Sequence, residues 1–365
     1  MRKSKTAEIT VAGAALLLAL ASSLGACGPE TDQDGAEGAS AALIEPNTLY
    51  IGDAADNSIQ RFDATTGEHL GKVVKSKGGL HGPQGIVVSP QGNLLVADQN
   101  VDTSANGDLL LYGVDGKLLD RTVKHADRNA PAAPSGIVLW NGRIFVADVT
   151  AQAQSQKPAT PGRVRCYSAF GEFLGDLVPT AALLASFHPR GVVIGPDGLL
   201  YVSSVLTIPP QAGGQVLRFN PQTLQFVDVF VDDVGGVGRL NRPDGLVFDE
   251  AGDLYVTSFR ANESDADAIR VYGGPGSASP GALVKAIQLY TVGQELRAFA
   301  QALLFGPGGD LFIPITGGGP DTGSVRRYDV TTGTYEVFIA PGTLGSPWFA
   351  SFSATDPATL LYEGD

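Results

Sequence analysis

The run Pro243-Asp244-Gly245-Leu246-Val247-Phe248-Asp249-Glu250-Ala251-Gly252-Asp253-Leu254-Tyr255-Val256-Thr257-Ser258 reads as two strands joined by a tight turn. Leu246 to Phe248 is apolar on both faces, as in a strand covered on both sides. Ala251-Gly252-Asp253 is a hairpin signal. The same design recurs along the chain. First strands recur at Gly85-Ile86-Val87-Val88, Gly136-Ile137-Val138-Leu139, Gly191-Val192-Val193-Ile194 and Ala302-Leu303-Leu304-Phe305. Second strands recur at Leu94 to Asp98, Ile144 to Asp148, Leu200 to Ser204 and Leu311 to Ile313.

A third strand follows each pair and carries one aromatic residue in a fixed frame: Phe62, Tyr112, Tyr167, Phe219, Tyr272 and Tyr328, with steps of 50, 55, 52, 53 and 56 residues. A period of that size marks a repeat architecture. The fourth strand is more polar, as at Gly71 to Lys75 and Lys117 to Arg121, which suits an outer edge that must not pair with another molecule. Each unit is therefore a four-stranded antiparallel blade, and radial repetition of blades is a propeller.

Five complete units begin near Gly85, Gly136, Gly191, Gly245 and Ala302. The N-terminal segments Thr48 to Asp53, Ser58 to Asp63 and Glu68 to Lys75 supply three strands of a sixth, and Phe349 to Ser353 supplies its first strand. The predicted fold is all-β: a six-bladed propeller over residues 47–365, closed by a clasp of both chain ends. Thr359 to Tyr362 also reads as a second strand, in competition with Thr48 to Ile51.

Connections between first and second and between third and fourth strands are mostly short, as in Asp63-Ala64-Thr65-Thr66-Gly67 and Asp329-Val330-Thr331-Thr332-Gly333. Connections from second to third strand (Asn100 to Gly107, Thr150 to Gly162, Leu206 to Gly214, Arg260 to Asp267) are long. So are those from blade to blade (Lys124 to Pro134, Pro179 to Pro189, Asp232 to Pro243). In an antiparallel blade these two classes emerge on one face, the expected binding face. The middle residue of each Pro-x-Gly opening belongs at the channel mouth on that face: Gln84, Ser135, Arg190, Asp244, Gln301 and, by alignment, Trp348. Such a polar ring suits a small ligand. Equally, Arg190 and Asp244, on adjacent blades, could pair and plug the channel, because buried polar groups need partners whatever the function.

The address is written at the N-terminus. Arg2, Lys3 and Lys5 precede the apolar run Ile9 to Ala21, and Leu24-Gly25-Ala26-Cys27 resembles a bacterial lipobox whose Cys27 takes a lipid. Residues 1–26 then read as a lipoprotein signal peptide and 27–46 as a flexible acidic tether. The chain has 365 residues and a charge of −13; losing residues 1–26 leaves 22 basic and 37 acidic residues, a charge of −15. That acidity argues against a nucleic-acid partner and against lying on anionic lipid, so the membrane is reached only through Cys27. Cys166 is then left without a disulfide partner, and with no flanking base or cation to activate it, it is assigned no chemistry.

The segments Asn47-Thr48-Leu49-Tyr50-Ile51-Gly52-Asp53 and Ser58-Ile59-Gln60-Arg61-Phe62-Asp63, with openings such as Pro83-Gln84-Gly85 and Pro243-Asp244-Gly245, resemble the NHL-repeat and SMP-30 (gluconolactonase-like) six-bladed propellers across roughly residues 47–353. The resemblance implies a divalent metal, calcium or zinc, held at the mouth by a Glu, one or more Asn and an Asp. Only Asp244 matches that set. Arg190 and Ser135 stand where Asn ligands are implied, and Trp348 where the Glu is implied. NHL-type lyases that use zinc imply ring histidines, whereas this chain has only His69, His81, His125 and His188, of which His81 and His188 fall just before inner strands. Asp102-Thr103-Ser104-Ala105-Asn106-Gly107-Asp108 begins like a calcium loop, but Gly113 stands where the closing Glu belongs.

The expectation is an envelope-anchored, monomeric, non-catalytic binding propeller that engages a protein, glycan or small molecule and has no predicted cofactor. The alternative is a metal-dependent lactonase or ester hydrolase with a departed metal site.

Overall fold

The computed structural model describes residues 47–150, 161–206, 213–233, 235–316 and 322–364. The described residues form six separate four-stranded antiparallel sheets, five of them running in sequence order from the channel outward. Blade 2 comprises Pro83–Val88, Leu94–Asp98, Asp108–Tyr112 and Leu118–Val123. Blade 3 comprises Pro134–Trp140, Arg143–Asp148, Arg163–Ser168 and Phe173–Leu177. Blade 4 comprises His188–Ile194, Leu200–Leu206, Gly213–Asn220 and Gln225–Asp233. Blade 5 comprises Leu246–Phe248, Leu254–Ser258, Ala268–Tyr272 and Leu283–Gln288, and blade 6 comprises Leu304–Phe305, Leu311–Ile315, Ser324–Tyr328 and Tyr335–Ile339. Among the described residues no helix is long and apolar enough to cross a membrane.

Blade 1 is the clasp. Its inner strand, Pro347–Phe352, comes from the C-terminal end and pairs with Thr48–Asp53, which pairs with Ser58–Asp63 and then His69–Val74. Both chain ends thus share one sheet, and the ring closes without a free inner edge. The inner strand starts two residues earlier than Phe349 because Pro347 pairs with Asp53 across a register shift.

All six periodic aromatics are fully buried, and their surroundings show why the frame recurs. The Tyr112 hydroxyl donates to the Gly78 carbonyl (3.0 Å) and the Tyr167 hydroxyl to the Asn129 carbonyl (2.6 Å), so these rings also fasten blade-to-blade loops. Cys166 is buried among Phe145, Leu177, Phe187 and Phe219, and burial pushes its thiol up to about 11, which leaves it a packing residue. The outer strands are less polar than their lysines suggest: Leu70, Leu119, Leu174, Val227, Leu283, Val284 and Val337 are exposed there.

The tail departs from its sequence reading. Thr359 to Tyr362 forms no strand; it contributes only an isolated bridge between Thr355 and Tyr362. Asp356 Oδ1 instead accepts from the Ala358 and Thr359 amides (3.0 and 2.7 Å) and the Thr359 hydroxyl (2.8 Å). Asp63 makes the same three bonds with Thr65 and Thr66 in an ordinary hairpin turn. Where that turn uses Gly67 at φ 74°, the tail places Leu360 at φ 57°.

A side chain at such a φ costs roughly 1–2 kcal/mol, so the placement needs compensation. Leu360 receives it by packing against four of the molecule's five hydrophobic clusters. The carbonyls of Pro357 and Ala358 accept from the amides of Leu139 (2.8 Å) and Ile194 (2.9 Å), at the far ends of two inner strands. The tail therefore seals the base of the channel with an apolar plug and pairs the backbone groups it covers.

Candidate functional site at the channel mouth

The residues that directly follow the six ring positions, Gly85, Gly136, Gly191, Gly245, Ala302 and Phe349, all line one central void of about 30 Å³, with Leu360 beneath. The six ring residues thus stand at one level around the axis, and the channel below them has room for no more than a couple of waters. A ligand of any size must stay at the mouth.

Close packing builds that ring. A Cβ on Gly136 would lie 2.7 Å from the Arg190 carbonyl oxygen, and one on Gly191 2.4 Å from that of Asp244, so each glycine of the motif lets the next blade's ring residue approach. The prolines do the complementary job: Pro134, Pro189 and Pro243 sit against Gly107, Gly162 and Gly214, which precede or open the neighbouring third strands. In blades 1 to 4 the register between first and second strands shifts at the ring residue, so two residues oppose one; a bulge of this kind re-aims a side chain.

Two of the ring residues, Arg190 and Asp244, are charged. Asp244 is only 6 % exposed, and its Oδ1 has no hydrogen-bond partner. Arg190 is half-buried, and among the described residues neither it nor Asp244 belongs to an ion pair. The plug that a direct Arg190–Asp244 pair would form is therefore not made. Burial pushes the Asp244 carboxyl up to about 6, and the nearby Arg190 charge opposes that shift. Gln84 and Ser135 are buried, Gln301 and Trp348 are half-buried, and the Trp348 indole donates to Ser346 Oγ at 2.7 Å.

Two hydroxyls clamp the backbone of Asp244, and reading the ring alone did not reveal them. Its amide donates to Thr257 Oγ1 (3.0 Å), while Ser203 Oγ donates to its carbonyl and accepts from the Gly191 amide (2.8 Å). The signal was present in the second strands, where blades 2 and 3 carry Ala97 and Ala147 at the register of Ser203 and Thr257. Hydroxyls replace methyls only in the two blades that present the charges.

The next position along those strands is structural. Asp53 accepts from the Gly345 and Ser346 amides (both 2.8 Å), Asp98 from His81 (2.9 Å to each oxygen), and Asp148 from Ala132 and Ala133 (3.0 and 2.9 Å). These carboxylates fasten the loop that enters each inner strand. Asp98 is fully buried beside Asp108, and burial, reinforced by the charges of Asp108 and Asp102 against the His81 contacts, pushes it up to about 7.

The structure does not assemble the implied metal sets. Among the described residues no group of three or more His, Cys, Asp or Glu side chains is placed to hold a metal ion. At the ring Asp244 is the sole carboxylate, and the Arg190 charge beside it disfavours a cation. The histidines are dispersed. His69 packs on Phe62, His81 Nδ1 bonds to Asp102 (2.8 Å), His125 bonds to Asp108 (3.1 Å), and His188 is buried on blade 4. In the calcium-loop-like segment, Asp102 and Asp108 are engaged by His81 and by Asn100 and His125, and do not converge on a common centre. Cys27 and the segments 1–26 and 27–46 lie outside the described residues, as does most of the insertions Thr150 to Gly162 and Leu206 to Gly214.

No family model matches the chain, and no curated protein does. Solved structures share its fold. A Bacteroides caccae protein of unknown function is 15 % identical, with a TM-score of 0.56 over 84 % of this chain and 99 % of that one. The periplasmic gluconolactonase of Pseudomonas aeruginosa is 16 % identical, with a TM-score of 0.52 over 84 % and 98 %. A Xanthomonas campestris gluconolactonase is 17 % identical, with a TM-score of 0.50 over 74 % and 79 %. The molecule is therefore a six-bladed propeller that shares its fold with these proteins. At these identities the likeness concerns the fold alone, because one propeller hosts many functions.

Proposed function

We propose that this protein is an envelope-anchored binding propeller whose channel mouth, on the loop-rich face, holds a small polar ligand. The observation that carries the reading is Asp244: a buried carboxylate with one oxygen unpartnered, its backbone clamped by Ser203 and Thr257. Leaving a charged oxygen unpaired in a buried site costs free energy, and such groups concentrate where something else completes the pairing. The envelope address rests on the Cys27 lipobox; Cys27→Ala should move the protein from the membrane fraction to the soluble one. The binding test is a thermal-shift screen of the full-length protein against small polar metabolites and glycan fragments, run in parallel on Asp244→Asn. Stabilisation by some compounds that the variant loses is the expected result. Stabilisation equal in both proteins would remove the mouth as the site.

The second reading is a metal-dependent lactonase. It is favoured by the position of Asp244 in the ring and by the solved gluconolactonases that share the fold. Stoichiometric divalent metal in the purified protein, together with turnover of a lactone panel and loss of both in Asp244→Ala, would establish it over the binding reading.

A further inference from the structure

The mouth also carries information about ligand charge. In a chain of net charge −13, five arginines lie on the inner-strand openings and connecting loops of the loop-rich side of blades 4 to 6: Arg190, Arg239, Arg242, Arg260 and Arg297. Three of them are neutralised, Arg239 by Asp233, Arg297 by Asp267 (2.8 Å) and Arg260 by Glu263 (2.5 Å). Two are not. Arg242 lies over the Phe259 ring, 5.4 Å from its centroid, and donates only to the Arg260 carbonyl (3.1 Å), while Arg190 stands at the ring itself. Among the described residues neither has an ion-pair partner. A guanidinium stacked and held by one backbone carbonyl keeps most of its donors open, and its fork fits a carboxylate.

The poles are therefore complementary to a ligand with two different ends. Unpaired guanidinium donors call for an anion. The unpartnered Asp244 Oδ1, buried and ionisable, calls for a hydrogen-bond donor. A plain carboxylate would meet the first demand and repel the second, and a neutral polyol would meet only the second. We infer that the ligand is a small carboxylate that also carries a hydroxyl or amine, its carboxylate on Arg190 with Arg242 at the rim and its donor on Asp244. This inference rests on the mouth reading above and adds to it the chemical class of the ligand.

Calorimetric titration of the full-length protein with D-galacturonate, L-alanine, acetate and D-galactose tests it. These probes carry a carboxylate with hydroxyls, a carboxylate with an amine, a carboxylate alone and hydroxyls alone. Galacturonate or alanine should bind at least about tenfold more tightly than both acetate and galactose. The first two probes also separate the hydroxyl from the amine form of the donor. Arg190→Gln, at a half-buried position that thermal melts can confirm as folded, should weaken the preferred probe at least about tenfold, and Asp244→Asn should erase its advantage over acetate. Galactose binding as well as galacturonate, with Arg190→Gln without effect and Asp244→Asn harmful, would overturn the ligand class and leave the mouth site standing. Affinity indifferent to both variants would overturn the mouth site as well. Absence of binding by all four probes would overturn the class.

Discussion

The two ends of the central channel are built from the same repeat and finished in opposite ways. At the base an apolar side chain, Leu360, enters the void, and the tail's carbonyls pair with the Leu139 and Ile194 amides. At the mouth blades 4 and 5 present Arg190 and Asp244, and a carboxylate oxygen is left without a donor. Geometric repetition gives each end six equivalent positions. The base is closed and the mouth departs from equivalence, so the asymmetry lies along the axis as well as around the ring.

The contrast can be broken at either end. Truncation after Thr355 has the largest expected effect: it orphans two covered amides and empties the plug, costing on the order of 5 kcal/mol in chemical denaturation while leaving mouth ligands their affinity. A neutral truncation would show the plug to be ornamental. Next comes the pH dependence of Asp244. Its native pKa, about 6, lies above the ordinary carboxylate value of 3.8, so the native state binds the proton more tightly. The stability linked to that proton is fully present below about pH 4 and is lost as pH rises through 6. Relative to wild type, Asp244→Asn should therefore gain about 2–3 kcal/mol between pH 4 and pH 8, read as the difference between two denaturation series.

Gly191→Ala probes the joint between the ends, because its Cβ would meet the Asp244 carbonyl oxygen at 2.4 Å. It should cost about 1–3 kcal/mol and weaken mouth binding together, whereas a base variant should move stability alone. Leu360→Ala, which deletes the plug's side chain but keeps the left-handed backbone, should cost about 1–2 kcal/mol. Leu360→Gly should be the milder of the two, since it relieves the strain at φ 57°.

The strands and the blade count were legible because runs such as Leu254 to Ser258 are apolar wherever both faces are covered, and the periodic aromatics fill equivalent gaps. The ring positions were legible because Pro-x-Gly has a packing cause: the proline seats on one neighbour, and the glycine admits the other. The plug was not legible. Asp356-Pro357-Ala358-Thr359-Leu360 is a hairpin turn with leucine in the glycine position, and only the channel's apolar lining shows why leucine is tolerated there. Nor could the sequence decide whether Arg190 closes on Asp244, because that depends on the bulge at Arg190 and on the Ser203 and Thr257 clamps that fix Asp244's backbone.

Whether Arg190 leaves Asp244 unpaired is measured most directly by a carboxyl-carbon NMR titration of Asp244. A buried carboxylate without an ion-pair partner should titrate with a midpoint of about 6 and should move when a mouth ligand binds. A midpoint below the ordinary carboxylate value would mean that Arg190 already pairs with it and that the mouth is plugged like the base.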